Sequence, residues 1–132
     1  MSQENAAVVR RALHHLAETG DLAEDWYDAD VVFMTRSDGP AQSVYRGIKG
    51  LQRAMKSFRE VWATLEFEIL ELIDEGEVVV VPLLFHLRSR TGVALDVEET
   101  WAYWIRNGKI RRIEQHPSRQ AALEAAATGP GG

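Results

Sequence analysis

Ala6, Val9, Leu13 and Leu16 recur at helical spacing, which predicts a helix over residues 3–19 with one buried stripe. Ser2 is placed to cap its start, and Gly20 to end it in a left-handed turn. Asp21, with Glu24 three residues on, reads as a capping box for a short second helix closed by Trp26 and Tyr27. A strand follows from Val31 to Arg36, with Val31, Phe33 and Thr35 on one side, and Ser37-Asp38-Gly39-Pro40 is a turn or loop. Ile48, Leu51, Met55, Phe58 and Trp62 return to helical spacing and predict a helix over 47–62. Beyond it the period changes to two. Leu65, Phe67 and Ile69 alternate with Glu66 and Glu68, the mark of a strand with one wet face.

The remaining chain reads as a meander. Asp74-Glu75-Gly76-Glu77 is a turn, 78–90 a long strand, Arg90-Thr91-Gly92 a turn and 93–106 another strand. Asn107-Gly108 is the strongest hairpin signal, because both residues tolerate positive φ, and Lys109 to His116 is the returning strand. Ser118 caps a last short helix through Ala126. Helices followed by a run of antiparallel strands predict the α+β class. A curved antiparallel sheet wrapped around helices leaves a cone, and its open end is a natural ligand pocket. The length of 132 residues suits one domain over residues 1–127, with 128–132 as a disordered tail.

Composition narrows the function. Apolar residues make up 45% of the chain, enough for a true core. Four Trp, three Tyr and four Phe can wall a pocket as well as fill that core. The net charge of -5, with scattered Lys and Arg, disfavours nucleic acid and anionic membrane surfaces. The absence of cysteine excludes disulfides, thiol catalysis and Cys-ligated zinc. The N-terminus lacks an apolar signal core, and the apolar run from Val78 to Phe85 is too short to span a bilayer as a helix. A cytoplasmic protein is expected. No two histidines stand at i, i+4, so no metal is expected, and no cofactor either.

The strand 93–106 carries the most chemistry. Its alternation puts Leu95, Val97, Glu99, Trp101, Tyr103 and Ile105 on the more apolar face, assigned here to the interior. Glu99 then stands among apolar neighbours, where a desolvated carboxyl could act as general acid or base. The plainer reading places it at the rim or against an Arg such as Arg88. His116, ending the last strand, is a candidate proton shuttle at the pocket mouth, or simply a surface histidine before Pro117. His15 is expected at the pocket edge and His14 in solvent. Tyr27, Phe33, Thr35, Tyr45, Met55, Phe58, Trp62, Trp101 and Tyr103 are the expected ligand-binding lining. On the outer face, Leu84, His86, Ala102 and Trp104 form an expected apolar patch, and a homodimer packed sheet to sheet through it is the expected assembly. The alternative is that Trp104 lies flat beneath Arg side chains of a single chain.

Several short motifs, in their order and spacing, carry a family resemblance over residues 4–126. They are Thr19-Gly20-Asp21-Leu22, Asp30-Val31-Val32-Phe33, Tyr45-Arg46-Gly47, Gly76-Glu77-Val78-Val79, Trp104-Ile105-Arg106-Asn107-Gly108-Lys109-Ile110 and Ala121-Ala122-Leu123-Glu124. The chain resembles the SnoaL-like branch of the nuclear-transport-factor-2-like superfamily, which includes ketosteroid isomerases, polyketide cyclases, an epoxide hydrolase and non-enzymatic members. The resemblance implies the cone fold. It does not carry over the known catalytic groups. The isomerases' oxyanion Tyr corresponds to Leu13, their base Asp falls in Met34-Thr35-Arg36, and the cyclases' acid–base Asp corresponds to Trp101. Two functions follow for a pocket that takes a small apolar molecule. One is an acid–base enzyme (isomerase, cyclase or hydratase) on an oxygenated substrate, with Glu99 as acid or base. The other is a non-catalytic ligand-binding or accessory module. A domain whose cone is filled by its own side chains is a third.

Overall fold

The computed structural model describes residues 2–36 and 43–128. In chain order it contains α1 (Ser2–Thr19), a single 3-10 turn (Glu24–Trp26), β1 (Tyr27–Met34), β2 (Val44–Arg46) and α2 (Gly47–Val61). Then come β3 (Trp62–Ile69), β4 (Ile73–Glu75), β5 (Val78–Ser89), β6 (Ala94–Arg106), β7 (Lys109–His116) and α3 (Arg119–Thr128). The strands form one curved, unclosed sheet in the order β2-β1-β7-β6-β5-β3, with β4 also on β5. The architecture is the expected α+β cone. The turn expected at Asp38, the Ser2 cap and the far end of the tail lie outside what the structure describes.

Local chemistry explains most boundaries. Gly20 ends α1 at φ 75°, its amide reaching the Leu16 carbonyl at 2.8 Å. Asn107 and Gly108 take φ 52° and 75° and turn β6 into β7. The Ser118 hydroxyl accepts the Ala121 amide at 3.1 Å and starts α3. Pro82 sits in a central strand, which a proline tolerates only where its missing N–H is not wanted. Its carbonyl accepts from Leu70 on the side where β3 pairing ends opposite Leu83 and β4 pairing begins opposite Val80, so the absent donor faces a break in the ladder.

Four expectations need correction. The short second helix is only the turn 24–26. Thr19, not Asp21, supplies the local side-chain contact, its hydroxyl meeting the Asp21 amide at 3.1 Å. The exposed acidic residues there gain little from a helix, whereas Tyr27 gains burial by opening β1 opposite Ile110. Second, the sheet is mixed: β1 runs parallel to β7, because a whole meander separates them and leaves their relative direction free. Third, Trp62 starts β3 rather than ending α2, and β2 and β4, three residues each, were too short to register in the pattern.

The fourth concerns the outer face. The register confirms that Ala102 and Trp104 point away from the interior, but they are not exposed. Trp104 is 2% exposed and packs with Val78, Val80, Ala102 and Ala122 beneath α3. The Arg112 guanidinium lies 6.0 Å from its ring centroid. The Val78–Val81 run is therefore continuous because α3 covers one side of it and the main core the other. Leu84 and His86, further along β5, remain half-buried.

Candidate functional site: an apolar cavity under the sheet

The helical stripes and the strand alternation converge on one cavity of about 400 Å³. Leu13, Leu16 and Ala17 of α1 form one wall, and Met55, Phe58 and Arg59 of α2 a second. The sheet contributes Leu65, Phe67, Leu83, Phe85 and Trp101, all from inward positions. Gly20 and Arg59 stand where the helix ends meet, the Arg59 Nη1 donating to the Gly20 carbonyl at 2.8 Å. A file of rings runs from the sheet edge to the cavity. Tyr45, Phe33, Trp101, Phe85 and Phe67 follow one another at centroid distances of 6.1, 5.5, 5.7 and 6.0 Å.

Of the expected lining, Met55, Phe58 and Trp101 meet at the cavity. Tyr27, Phe33 and Tyr103 are deeper, in the closed core. Burial pushes the Tyr27 hydroxyl up to about 12 and the Tyr103 hydroxyl well above the usual tyrosine value. Tyr45 stacks on Phe33 at the β2 edge. Thr35 uses its hydroxyl on Ser43, accepting the amide at 2.7 Å, and Trp62 sits half-buried at the α2–β3 junction. Leu65, Phe67 and Phe85 were absent from the expected lining, although the alternation with Glu66 and Glu68 placed Leu65 and Phe67 on the drier face. The missing information was which end of the cone stays open.

Glu99 is on the inner face, as its register predicts. Its side chain is 15% exposed. One oxygen accepts from Arg36 Nη1 at 3.1 Å and the other from the Trp101 indole N–H at 3.1 Å. Its cationic neighbour is therefore Arg36, whereas Arg88 stands opposite Ala94 and Thr64 on the outer side. The indole that Glu99 holds is the one that walls the cavity.

His116 does not join Glu99. It pairs with Thr100 across the ladder, which puts it on the outer face and away from the cavity mouth. There it forms a row with Glu114 and Arg112: Nε2 lies 3.0 Å from one Glu114 oxygen, and Arg112 Nε donates to the other at 2.7 Å. Burial raises the Glu114 carboxyl, but the hydrogen bonds and charges of His116 and Arg112 outweigh it, and its pKa ends below the usual value. His14 is exposed, and His15 meets the Trp26 ring edge-on at 5.9 Å. Among the described residues no group of His, Asp or Glu is placed to hold a metal ion. None of their helices is long and apolar enough to cross a membrane.

A curved sheet folded over helices around an apolar cavity defines a nuclear-transport-factor-2-like cone. Within that class, the SnoaL-like domain family matches residues 9–113, and the chain belongs to it. Solved structures agree on the fold. TerC, co-crystallized with polyporic acid, is 18% identical, covering 94% of this chain and 98% of its own, with a TM-score of 0.76. An NTF2-like protein of unknown function from Burkholderia pseudomallei is 19% identical over 92% of this chain and 95% of its own, with a TM-score of 0.72. Bal32a, from a soil-derived mobile gene cassette, is 18% identical over 87% of this chain and 89% of its own, at 0.76. No curated protein matches the chain in sequence.

Proposed function

We propose that this chain is a small-molecule-binding protein whose ligand, a small and largely apolar molecule, occupies the cavity between α1, α2 and the sheet. The cavity itself carries the reading: its size falls within the range of ligand sites, and its walls are aliphatic and aromatic with few polar groups. That TerC was co-crystallized with a small organic molecule fits the same use of the cone. The test is a neutral apolar probe, N-phenyl-1-naphthylamine, whose fluorescence rises on entering a dry site. One saturable equivalent is expected, abolished by Ala17→Trp, which fills the α1 wall. Unsaturable binding, or binding untouched by Ala17→Trp, would sink the reading.

Acid–base catalysis by Glu99 is the second reading. It is favoured by one observation: the carboxylate holds the cavity-wall Trp101 directly, on the interior face. A reaction on a bound oxygenated substrate would need Glu99 to exchange its Arg36 or Trp101 contact for the substrate. Glu99→Gln discriminates the two, since a binding module keeps ligand affinity without turnover to lose. His116, on the opposite face, has no part in this proposal. A homodimer is proposed only through Leu84 and His86, because α3 covers Ala102 and Trp104; sedimentation of the wild type and Leu84→Glu tests it.

A further inference from the structure

The polar part of the cavity is concentrated at one point. Among the described residues that line it, Arg59 carries the sole positive charge. Glu66 borders the same space, but the alternation of β3 sends Leu65 and Phe67 inward and turns the Glu66 side chain to the outer face, opposite His86. The Arg59 side chain and its backbone are each tied to a neighbouring segment. Its own Nη1 is fixed on the Gly20 carbonyl. Its backbone is fixed by Arg90, whose Nε and Nη2 donate to the Glu60 and Arg59 carbonyls, both at 2.9 Å, at the last turn of α2.

A guanidinium has five N–H donors in a planar fork, and Gly20 uses one of them. Arg59, an exposed residue, borders a space otherwise walled largely by Phe58, Phe67, Phe85 and Trp101. Asp21 and Glu24 line the adjoining groove on the other side of Arg59. The cation thus separates an acidic groove from an apolar cavity. A ligand seated in that cavity meets Arg59 with whichever atoms it carries at the mouth.

We infer that the ligand is an aromatic or alicyclic acid, its flat apolar body among the rings and its anionic oxygen head on the Arg59 fork. This rests on the cavity being the ligand site. An oxyanion accepts geometrically matched hydrogen bonds in which both partners carry charge, whereas in those accepted by an alcohol of the same shape only the donor is charged. An ammonium of the same shape would be repelled.

The test compares 1-naphthoate, 1-naphthylmethanol and 1-naphthylmethylamine by calorimetric titration of the full chain. For the wild type, naphthoate is expected to bind about tenfold more tightly than the alcohol, with the amine weakest. Arg59→Met should erase the preference, weakening naphthoate more than the alcohol, and Arg59→Lys should keep part of it. Equal affinities for acid and alcohol in the wild type, or tighter binding of the amine through Asp21 and Glu24, would overturn the anionic head and leave the cavity reading intact. A preference that survives in Arg59→Met would also overturn it. Failure of all three to bind would overturn both.

Discussion

Replacing Trp104 by Ala separates two roles for an outward-facing tryptophan. As one face of an interface, it would change association and leave the folded monomer alone. Under α3 it is part of a second core, and its loss must appear in the stability of a single chain. A Trp side chain buries roughly 200 Å², and at ~25 cal/mol per Å² its transfer from water is worth about 5 kcal/mol. Trp104 is 2% exposed, so nearly all of that applies. Alanine retains a small part, and α3 can settle toward Val78 and Val80, so a loss of about 3–4 kcal/mol is expected. A small domain of ordinary stability would remain folded with little margin. The assay is urea unfolding followed by far-UV circular dichroism, which does not depend on the tryptophan removed. The midpoint should fall by the same amount at micromolar and at hundred-micromolar protein. A loss under about 1 kcal/mol, or one that varies with concentration, would refute the intrachain account of Trp104.

Three further predictions follow the ionisable groups. The folded Glu114 has a lowered pKa, so its contribution is present above the unfolded value near 4.5 and is lost as pH falls through the lower folded value. The acid limb of the stability–pH curve should be shallower below 4.5 in Glu114→Gln, and an unchanged limb would contradict this. His86 is clasped by Glu68 and by Asp96, the latter at 2.8 Å, and hydrogen bonds to those carboxylates raise its pKa above 6.5. What the clasp contributes is complete below 6.5 and fades as pH rises through the folded value. The NMR titration of His86 should therefore have its midpoint above 6.5 and move down in Glu68→Gln; a midpoint at or below 6.5 would show that the clasp does not form in solution. Finally, absorbance titration at alkaline pH should give Tyr27 a midpoint of about 12, assigned by its loss in Tyr27→Phe, and a midpoint near the model-compound value of 10.0 would mean that the β1 start is open to water.

The periodicities alone determined much of this protein. Ala6, Val9, Leu13 and Leu16 fixed α1, the stripe through Leu51, Met55 and Phe58 fixed α2, and Asn107-Gly108 fixed the β6–β7 hairpin. Each rests on forces within a few residues of chain: helical spacing, a cap, a residue that accepts positive φ. The inward register of Glu99, Trp101 and Tyr103 was legible for the same reason, since neighbouring strand residues must face opposite ways. What lay outside the sequence pattern were decisions between distant segments. Tyr27 joined a strand because Ile110 waits opposite, and β1 chose a parallel partner more than seventy positions away. Arg36 reached Glu99 across 63 positions. Trp104 and His116 were read correctly as facing outward and as ending a strand, yet alternation names a face and cannot say what covers it. The return of α3 buried the one, and the pairing of Thr100 with His116 placed the other beyond reach of the cavity. The cavity follows the same logic. Its wall residues were written in the stripes, but which of them pack and which border open space was settled only by how far the helices stop short of β3, β5 and β6.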